Sequence, residues 1–379
     1  MSGKQIEMVD LQSQYFRLKD EIDRAILAVN ESCAFINGPQ VKEFSTHLET
    51  YLKTSHVIPC GNGTDALQIA LMALGLRPGD EVLVPAFNYV AAAEAVALLG
   101  LVPVMVDVEP RTFNISPWQI EPCISRRTKA IIVAHLFGQA CDMETILNIA
   151  KAYHLYVIED NAQSLGADYI DKDGALRKAG TLGHIGTTSF FPSKPLGCYG
   201  DGGAIITADR RLAERIRMIT MHGQESKYHH KVIGCNSRLD TIQAAILDVK
   251  LKYLDEFNAY RIKLAIRYNK MLASCKHLKI PQKSSFSSHI YHQYTLIIKD
   301  GKRDFFQQYL REKGVPSTVY YPLPLQDQDA FKGIAFMPSK PKVASDLCKS
   351  VLSIPIHTEM TKEVQDYIIK TVQEADQLA

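Results

Sequence analysis

TSFFPSKPLGCYGDGG, residues 188–203, places one lysine directly after an apolar run. Residues 186–191 have the apolar character of a short buried strand, and Lys194 follows them, ahead of a turn rich in glycine and aromatic side chains. A lysine packed against apolar groups loses solvation, which disfavours its ammonium form and leaves a nucleophilic amine. The segment therefore suits an enzyme that forms a Schiff base through Lys194, while an exposed loop lysine is the simpler alternative.

Short apolar segments alternate with helical patterns through the first half of the chain. The predicted strands are His56–Cys60, Glu81–Pro85, Val102–Val108, Thr128–His135 and Leu155–Glu159. The predicted helices are Gln14–Asn30, Val41–Tyr51, Asp65–Leu74, Ala91–Leu99 and Met143–His154. This alternation predicts an α/β fold with a mostly parallel sheet covered on both faces. In such sheets ligands bind beyond the carboxyl ends of the strands, so the residues that follow each strand are candidates for a site.

The pattern changes near residue 250. A predicted long helix, Leu239–Met271, leads to predicted strands Tyr294–Ile298 and Ser317–Tyr320 and predicted helices Asp304–Lys313 and Thr361–Gln377. We therefore predict two domains, a large α/β domain over residues 1–250 and a smaller α+β domain over residues 251–379.

Composition and charge are those of an ordinary globular protein. The chain has 379 residues, of which 46% are hydrophobic and 22% charged, and its formal net charge is +2. It has no long basic run for nucleic acid and no apolar stretch near the roughly 18 residues of a membrane span. The eight cysteines form no CxxC pair, which favours buried thiols in a reducing cytoplasm. The histidines lack a standard zinc spacing, so no metal site is expected.

Two segments that follow predicted strands carry groups suited to an anion or to a ring. GNGTDAL (residues 61–67) opens a helix, where the backbone near Gly63 and the Thr64 hydroxyl could contact a phosphate. An ordinary helix cap is the alternative. PAFNY (residues 85–89) ends in Tyr89, whose ring can stack on a heteroaromatic cofactor, although aromatic residues at strand ends more often belong to the core.

Asp160 directly follows another predicted strand. A buried carboxylate needs a partner, and in an enzyme that uses pyridoxal 5′-phosphate (PLP) this partner is the protonated ring nitrogen; a helix cap is the alternative. Gln163, three residues on, could reach the ring oxygen of that cofactor. Asp160 precedes Lys194 by 34 residues (194 − 160), which leaves room for a crossover and one more strand, so both could face one ring. Ser189 and Asn236 are further candidates for phosphate ligands.

Several motifs together resemble one known family. GNGTDAL, PAFNYVAAAEAVALLG, VAHLFG, IEDNAQS, TSFFPSKPLGCYGDGGA, KYHH and NSRLDTIQAA occur in this order over nearly the whole chain. They resemble the DegT/StrS-type nucleotide-sugar aminotransferases. The resemblance implies the aspartate aminotransferase fold of PLP-dependent transferases, PLP as the cofactor and a homodimer with shared active sites.

The resemblance also implies roles for particular residues. Lys194 would be the Schiff-base lysine and Asp160 the partner of the ring nitrogen. The full cofactor-binding set would be Gly63, Thr64, Tyr89, Asp160, Gln163, Ser189, Lys194 and, from the second subunit, Asn236. Some members of the family have histidine in place of the lysine and dehydrate sugars, so the presence of Lys194 favours transamination.

Within the family, the pattern most resembles the members that aminate UDP-2-acetamido-2-deoxy-3-oxo-glucuronate in bacterial surface polysaccharide biosynthesis. Arg238, Tyr320 and Tyr321 would then lie near the sugar. Two positions depart from the pattern: the family usually has YPxPLH where this chain ends in Gln326, and the uronate enzymes have histidine at Tyr320. L-Glutamate is the amino donor that the resemblance implies. The alternatives are an aminotransferase for a dTDP-linked keto-6-deoxy sugar and a non-catalytic PLP-binding regulator.

Overall fold

The strands predicted between residues 56 and 159 form one sheet in the computed structural model, which describes residues 6–379. The strands of the chain are β1 His56–Cys60, β2 Glu81–Pro85, β3 Val102–Val106, β4 Thr128–Ala134, β5 Tyr156–Asp160, β6 Asp168–Ile170, β7 Leu176–Lys178, β8 Ile185–Ser189, β9 Gly203–Thr207, β10 Gln224–Ser226, β11 His229–His230, β12 Leu278–Lys279, β13 Tyr294–Ile298 and β14 Val351–Ile354. The α-helices are α1 Leu11–Ser32, α2 Pro39–Leu52, α3 Gly63–Leu74, α4 Ala91–Leu98, α5 Met143–Ala152, α6 Arg210–Thr220, α7 Thr241–Leu251, α8 Leu254–Leu272, α9 Arg303–Glu312, α10 Lys342–Ser350 and α11 Lys362–Leu378.

The large sheet has seven strands in the order β1-β9-β8-β5-β4-β2-β3. β9 pairs antiparallel with both of its neighbours, and every other pair is parallel. The prediction of an α/β fold with a mostly parallel sheet is therefore confirmed. Because every strand except β9 runs in the same direction, the carboxyl ends of the other six lie along one edge of the sheet.

β2 shows how the sheet is covered on both faces. All five of its residues are buried. Val82 and Val84 pack in a cluster with α3, α4 and α6, whereas Leu83 packs in a cluster with α5. Successive side chains of a strand point to opposite faces, so a strand covered on both sides needs an unbroken apolar run. Each fully buried side chain of this kind contributes about 1.5–3 kcal/mol to folding.

The connection from β5 to β8 brings Asp160 and Lys194 to neighbouring strand ends. The two strands pair in parallel, with Asp160 opposite Thr187. Between them the chain forms the antiparallel hairpin β6–β7 rather than a helix. Asp160 is the last residue of β5, and Lys194 lies in the turn after β8, where its backbone N–H donates to the Phe191 carbonyl over 2.8 Å.

A second, smaller sheet lies in the last third of the chain. Its strands β12, β13 and β14 are antiparallel, and α8, α9 and α11 pack on them through residues such as Leu264, Phe306 and Ile368. The predicted strand over residues 317–320 is wrong, because only Thr318 pairs, in an isolated bridge to Ser353. The segment follows Pro316, whose nitrogen has no hydrogen to donate to a ladder.

The long helix predicted over residues 239–271 is two helices, since α7 ends at Leu251 and α8 begins at Leu254. At the break, the Tyr253 hydroxyl donates to Glu21 of α1 over 2.5 Å, a contact that a local helical pattern cannot reveal. The division into domains at residue 250 remains a prediction. Within residues 6–379, no helix is both long and apolar enough to cross a membrane.

Candidate active site

A cavity of about 850 Å³ opens at the carboxyl ends of the parallel strands. Nine of the eleven predicted site residues line it: Gly63, Thr64, Tyr89, Asp160, Gln163, Ser189, Lys194, Tyr320 and Tyr321. They come from five separate parts of the chain, so the fold gathers them at one point. Asn236 and Arg238 are the two that do not line this cavity.

Lys194 and Asp160 are half-buried and face the cavity from adjacent strand ends. Burial lowers the pKa of the Lys194 amine, and the charge of Asp160 works against this shift. Burial raises the pKa of Asp160, while the Ala162 N–H and the charge of Lys194 lower it. The Ala162 N–H donates to Oδ1 over 3.1 Å. A carboxylate in this setting is stabilised by a further positive group placed against it.

The first turn of α3 forms a cradle for an anion. Its N-cap is Asn62, whose Oδ1 accepts from the Asp65 N–H over 2.8 Å, so neither Thr64 nor Asp65 is the cap. Gly63 lies so close to β8 that an added Cβ would be 2.6 Å from the Cβ of Ser189. Thr64 and Ser189 both line the cavity, and a helix N-terminus carries free N–H groups and positive potential. Together these groups suit a phosphate.

Gln163 is held in one orientation by both ends of its amide. Its Oε1 accepts from the Phe137 N–H over 2.7 Å, and its Nε2 donates to the Tyr321 hydroxyl over 3.2 Å. The Tyr321 ring lies 6.2 Å from the ring of Tyr89, centroid to centroid. Tyr89 is 55% exposed. Its ring therefore keeps a free surface that a flat cofactor can cover.

Asn236 and Arg238 flank a residue that is fixed in place. Between them, the Ser237 Oγ accepts from the Gly61 N–H over 2.9 Å and donates to Asp65 over 2.6 Å. This serine ties the segment to the start of α3. Asn236 itself is exposed and reaches no part of the cavity of its own chain.

Eight other polar residues that line the cavity were not predicted as site residues: Asn62, Asp65, Asn88, His135, Ser193, Asp201, His292 and Gln293. Asn88 and His135 each follow a strand of the large sheet, so the strand-end rule could have found them. His135 is a buried, hydrogen-bonded histidine, because its Nε2 lies 2.7 Å from the buried Glu159 carboxylate. His292 and Gln293 precede β13, and no local sequence signal assigns that segment to the edge of the other sheet.

The charges at the site are few. Among the described residues that line the cavity, Lys194 is the only lysine or arginine. Residues 6–379 contain no cluster of three histidine, cysteine, aspartate or glutamate side chains that could hold a metal ion.

Three relatives show the range of proteins that this chain is similar to. A Pseudomonas aeruginosa protein named UDP-2-acetamido-2-deoxy-3-oxo-D-glucuronate aminotransferase is 46% identical, over 93% of this chain and 95% of its own length. A Geobacillus stearothermophilus protein named pleiotropic regulatory protein is 44% identical, over 97% and 98%. The dTDP-3-amino-3,4,6-trideoxy-alpha-D-glucose transaminase of Streptomyces venezuelae is 35% identical, over 97% and 96%.

Two solved structures are similar over almost the full chain. A DegT DnrJ EryC1 StrS aminotransferase from Brucella abortus has a TM-score of 0.93 and 40% identity, and the match covers 97% of this chain and 99% of that one. NtdA from Bacillus subtilis, solved with bound cofactor PMP, has a TM-score of 0.89 and 32% identity, with 100% and 86% covered. The model of the DegT/DnrJ/EryC1/StrS aminotransferase family matches residues 17–373, and the chain therefore belongs to that family.

Proposed function

We propose that this chain is a PLP-dependent aminotransferase that moves an amino group from an amino acid to a nucleotide-linked keto-sugar. The observation that carries the proposal is one cavity in which a desolvated lysine, Lys194, faces a strand-end carboxylate, Asp160, beside the anion cradle at the start of α3.

The residues of the cavity fit PLP in charge and in shape. Asp160 is a half-buried carboxylate, and a protonated ring nitrogen beside it would stabilise its negative charge. The Gly63 backbone and the hydroxyls of Thr64 and Ser189 would hold the phosphate, and the close approach of Gly63 to Ser189 leaves no room for a larger residue there. Tyr89 would stack on the ring, and Gln163, which has one N–H left beside its bond to Tyr321, would contact the ring oxygen.

When bound, PLP supplies an electron sink for the carbanion formed at the carbon that bears the amino group, and it carries that group between the two substrates. Lys194 would attach the cofactor through Nζ, and its amine, once released, would move the proton at the substrate carbon. Burial favours the neutral amine that this task needs. Asp160 would keep the ring nitrogen protonated, because a negative charge beside it stabilises the proton.

We further propose that the active site is completed by a second copy of the chain. Asn236 is exposed and lies outside the cavity of its own chain, and its side chain makes no hydrogen bond to any of residues 6–379, although its backbone pairs with Met221. In a homodimer, Asn236 of each chain would contact the phosphate in the other. Arg238 would come with it and supply the second cation that the cavity lacks in one chain.

The acceptor that we propose is UDP-2-acetamido-2-deoxy-3-oxo-glucuronate. The 46% identity to the Pseudomonas aeruginosa enzyme of that name supports it, and Arg238, Tyr320 and Tyr321 would contact the sugar. The alternative, supported by the Streptomyces venezuelae relative, is a dTDP-linked keto-6-deoxy sugar, which has no carboxylate that needs a cation.

The test is to assay both keto-sugars side by side with L-glutamate. We expect the UDP-linked uronate to be aminated with the higher kcat/KM, and Arg238→Gln to lower that value without affecting the 6-deoxy sugar. Higher activity on the dTDP-linked sugar would reverse the assignment of the acceptor. If glutamate alone fails to change the visible absorbance of the PLP-loaded protein, a regulatory role like that named for the Geobacillus stearothermophilus relative becomes the better explanation.

A further inference from the structure

Three side chains that line the cavity each have one buried polar atom without a hydrogen-bond partner among the described residues: Nδ2 of Asn88, Nδ1 of His292 and Oε1 of Gln293. Asn88 is 4% exposed and His292 is 8% exposed. A buried polar group without a partner is unfavourable, because it has lost its hydrogen bonds to water and gained none. Three such atoms around one cavity indicate that a ligand supplies the missing partners.

The cofactor does not account for these atoms. Its ring nitrogen, ring oxygen and phosphate are provided for by Asp160, by Gln163 and by the cradle at α3. Asn88 directly precedes Tyr89, the proposed stacking residue. His292 is close enough to Lys194 for the charge of the lysine to lower the pKa of the imidazole. His292 therefore lies near the reactive amine, and Asn88 and Gln293 line the same cavity, where a substrate would meet the cofactor.

The three atoms have the chemistry to bind neutral hydroxyl groups. The Asn88 amide nitrogen donates and the Gln293 amide oxygen accepts. The His292 side chain is neutral, because burial and the charges of Lys194 and Arg261 hold its pKa well below the ordinary value. A hydroxyl both donates and accepts, so it can pair with all of these groups. A carboxylate only accepts, and it would leave Gln293 unpaired.

We propose that Asn88, His292 and Gln293 form a subsite for a hydroxyl group on the sugar ring of the amino acceptor. The subsite rests on the proposed function, since it lies in the same cavity. It does not bind the carboxylates of the amino donor. A site built to hydrogen-bond a hydroxyl discriminates strongly against a ligand that lacks it, so these three side chains select the acceptor.

The test separates cofactor, donor and acceptor in the same variants. Gln293→Met and Asn88→Leu remove the polar atom and keep a side chain of similar size. Gln365→Met is the matched control, because that buried glutamine donates to the Leu264 carbonyl of α8 and lies outside the cavity. For each protein we would measure the bound PLP by absorbance and the rate at which L-glutamate converts it. We would then measure, by calorimetry, the affinity of the pyridoxamine phosphate form for two amino-sugar probes.

The probes are the UDP-linked 3-amino uronate and a dTDP-linked 3-amino-6-deoxy sugar, and the variants are compared on the probe that the wild type binds more tightly. We expect each cavity variant to lose about tenfold to a hundredfold in affinity for that probe. Bound PLP and the rate with glutamate should stay within about twofold of wild type, and Gln365→Met should bind the probe normally.

Several results would overturn the subsite. Unchanged affinity for the probe in both Gln293→Met and Asn88→Leu would show that these side chains do not bind the acceptor. Loss of PLP from the variants would show that the side chains bind the cofactor instead. A wild type that reacts with glutamate but binds neither probe would also contradict it. A wild type that does not react with glutamate at all would refute the aminotransferase proposal instead, so the two failures can be told apart.

Discussion

Two regions of the molecule carry predicted cofactor ligands, and they differ in whether those residues line the cavity of their own chain. The first, which we call the strand-end set, comprises Gly63, Thr64, Tyr89, Asp160, Gln163, Ser189 and Lys194, and all of these line one cavity within one chain. The second, which we call the 236–238 segment, holds Asn236 and Arg238 outside that cavity. The fold of one chain assembles the strand-end set, whereas the segment is held outside the cavity by the Ser237 side chain and by a backbone bridge between Asn236 and Met221.

The difference shows which part of a site follows from topology alone. Carboxyl ends of parallel strands share an edge, so residues distant in sequence meet there without any special contact. The 236–238 segment follows the hairpin β10–β11, and its residues Asn236 and Arg238 do not line the cavity of their own chain. If both regions bind PLP, substitutions in the strand-end set should inactivate the site of their own chain, whereas substitutions in the 236–238 segment should affect the site of the partner chain.

The largest effect is expected from Lys194→Ala in the strand-end set. No other lysine among the described residues lines the cavity, so turnover should fall by about 10⁴-fold or more, the upper range for a lost proton-transfer group. Borohydride reduction of the wild type followed by peptide mapping should find the pyridoxyl label on Lys194. A label on another lysine would contradict the assignment of the whole strand-end set.

A smaller loss is expected from Asp160→Asn. The amide keeps the size of the side chain but removes the charge that favours a protonated ring nitrogen, so turnover should drop at least ~10²-fold. PLP should be retained, since the cradle at α3 is untouched. The measurement is kcat together with the content of bound PLP. Activity within a few-fold of wild type would mean that Asp160 only accepts the hydrogen bond from the Ala162 N–H and does not act on the cofactor.

Asn236→Ala tests the 236–238 segment. Unlike a further variant of the strand-end set, it should complement an inactive strand-end variant in a mixed dimer. Because a hydrogen bond to a charged phosphate is lost, PLP affinity should fall by about tenfold. Mixed with Lys194→Ala, the variant should recover activity, since a mixed dimer has one site with both Lys194 and Asn236 intact. Half of the dimers would carry one working site of two, so up to about a quarter of wild-type activity would return.

The assay would use limiting PLP, at which neither variant is active alone, after co-refolding of the two chains. Shared binding should also make PLP stabilise the dimer over the separated chains. Mixed dimers without recovered activity would assign Asn236 to its own chain or to neither site.

The sequence predicted the strand-end set because each of its members follows a local signal. Asp160 ends a strand, Lys194 follows one, and Gly63 and Thr64 open a helix after a third. His292 and Gln293 carry no such signal, since they precede β13 of the smaller sheet. The segment just before them is held to the connection between β4 and α5 by a bridge between Gln139 and His289, a contact between residues distant in sequence. The strand predicted at residues 317–320 failed for a similar reason. Its aromatic residue, Tyr320, lines the cavity beside Tyr321 instead of pairing in a ladder.

The smallest expected effect is the difference between removing the helix cap at the anion cradle of α3 and removing an ordinary helix cap elsewhere. Asn62 caps α3 beside the cavity, and Asp142 caps α5 away from it, each with a side-chain oxygen that accepts from a backbone N–H of the first turn. Replacing either residue by alanine should cost about 1 kcal/mol of stability. The PLP-free forms of both variants should therefore melt about 2 °C lower than wild type.

The two variants should differ only when PLP is added. Loss of the Asn62 cap loosens the turn that holds the phosphate, so PLP should raise the melting temperature less in Asn62→Ala than in Asp142→Ala, because stabilisation by a ligand follows its affinity. Thermal melts over a series of PLP concentrations measure this difference. An equal rise in the two variants would show that the first turn of α3 takes no part in binding PLP. The strand-end set would then lose its phosphate contact, and Asn236 of the partner chain would have to supply it.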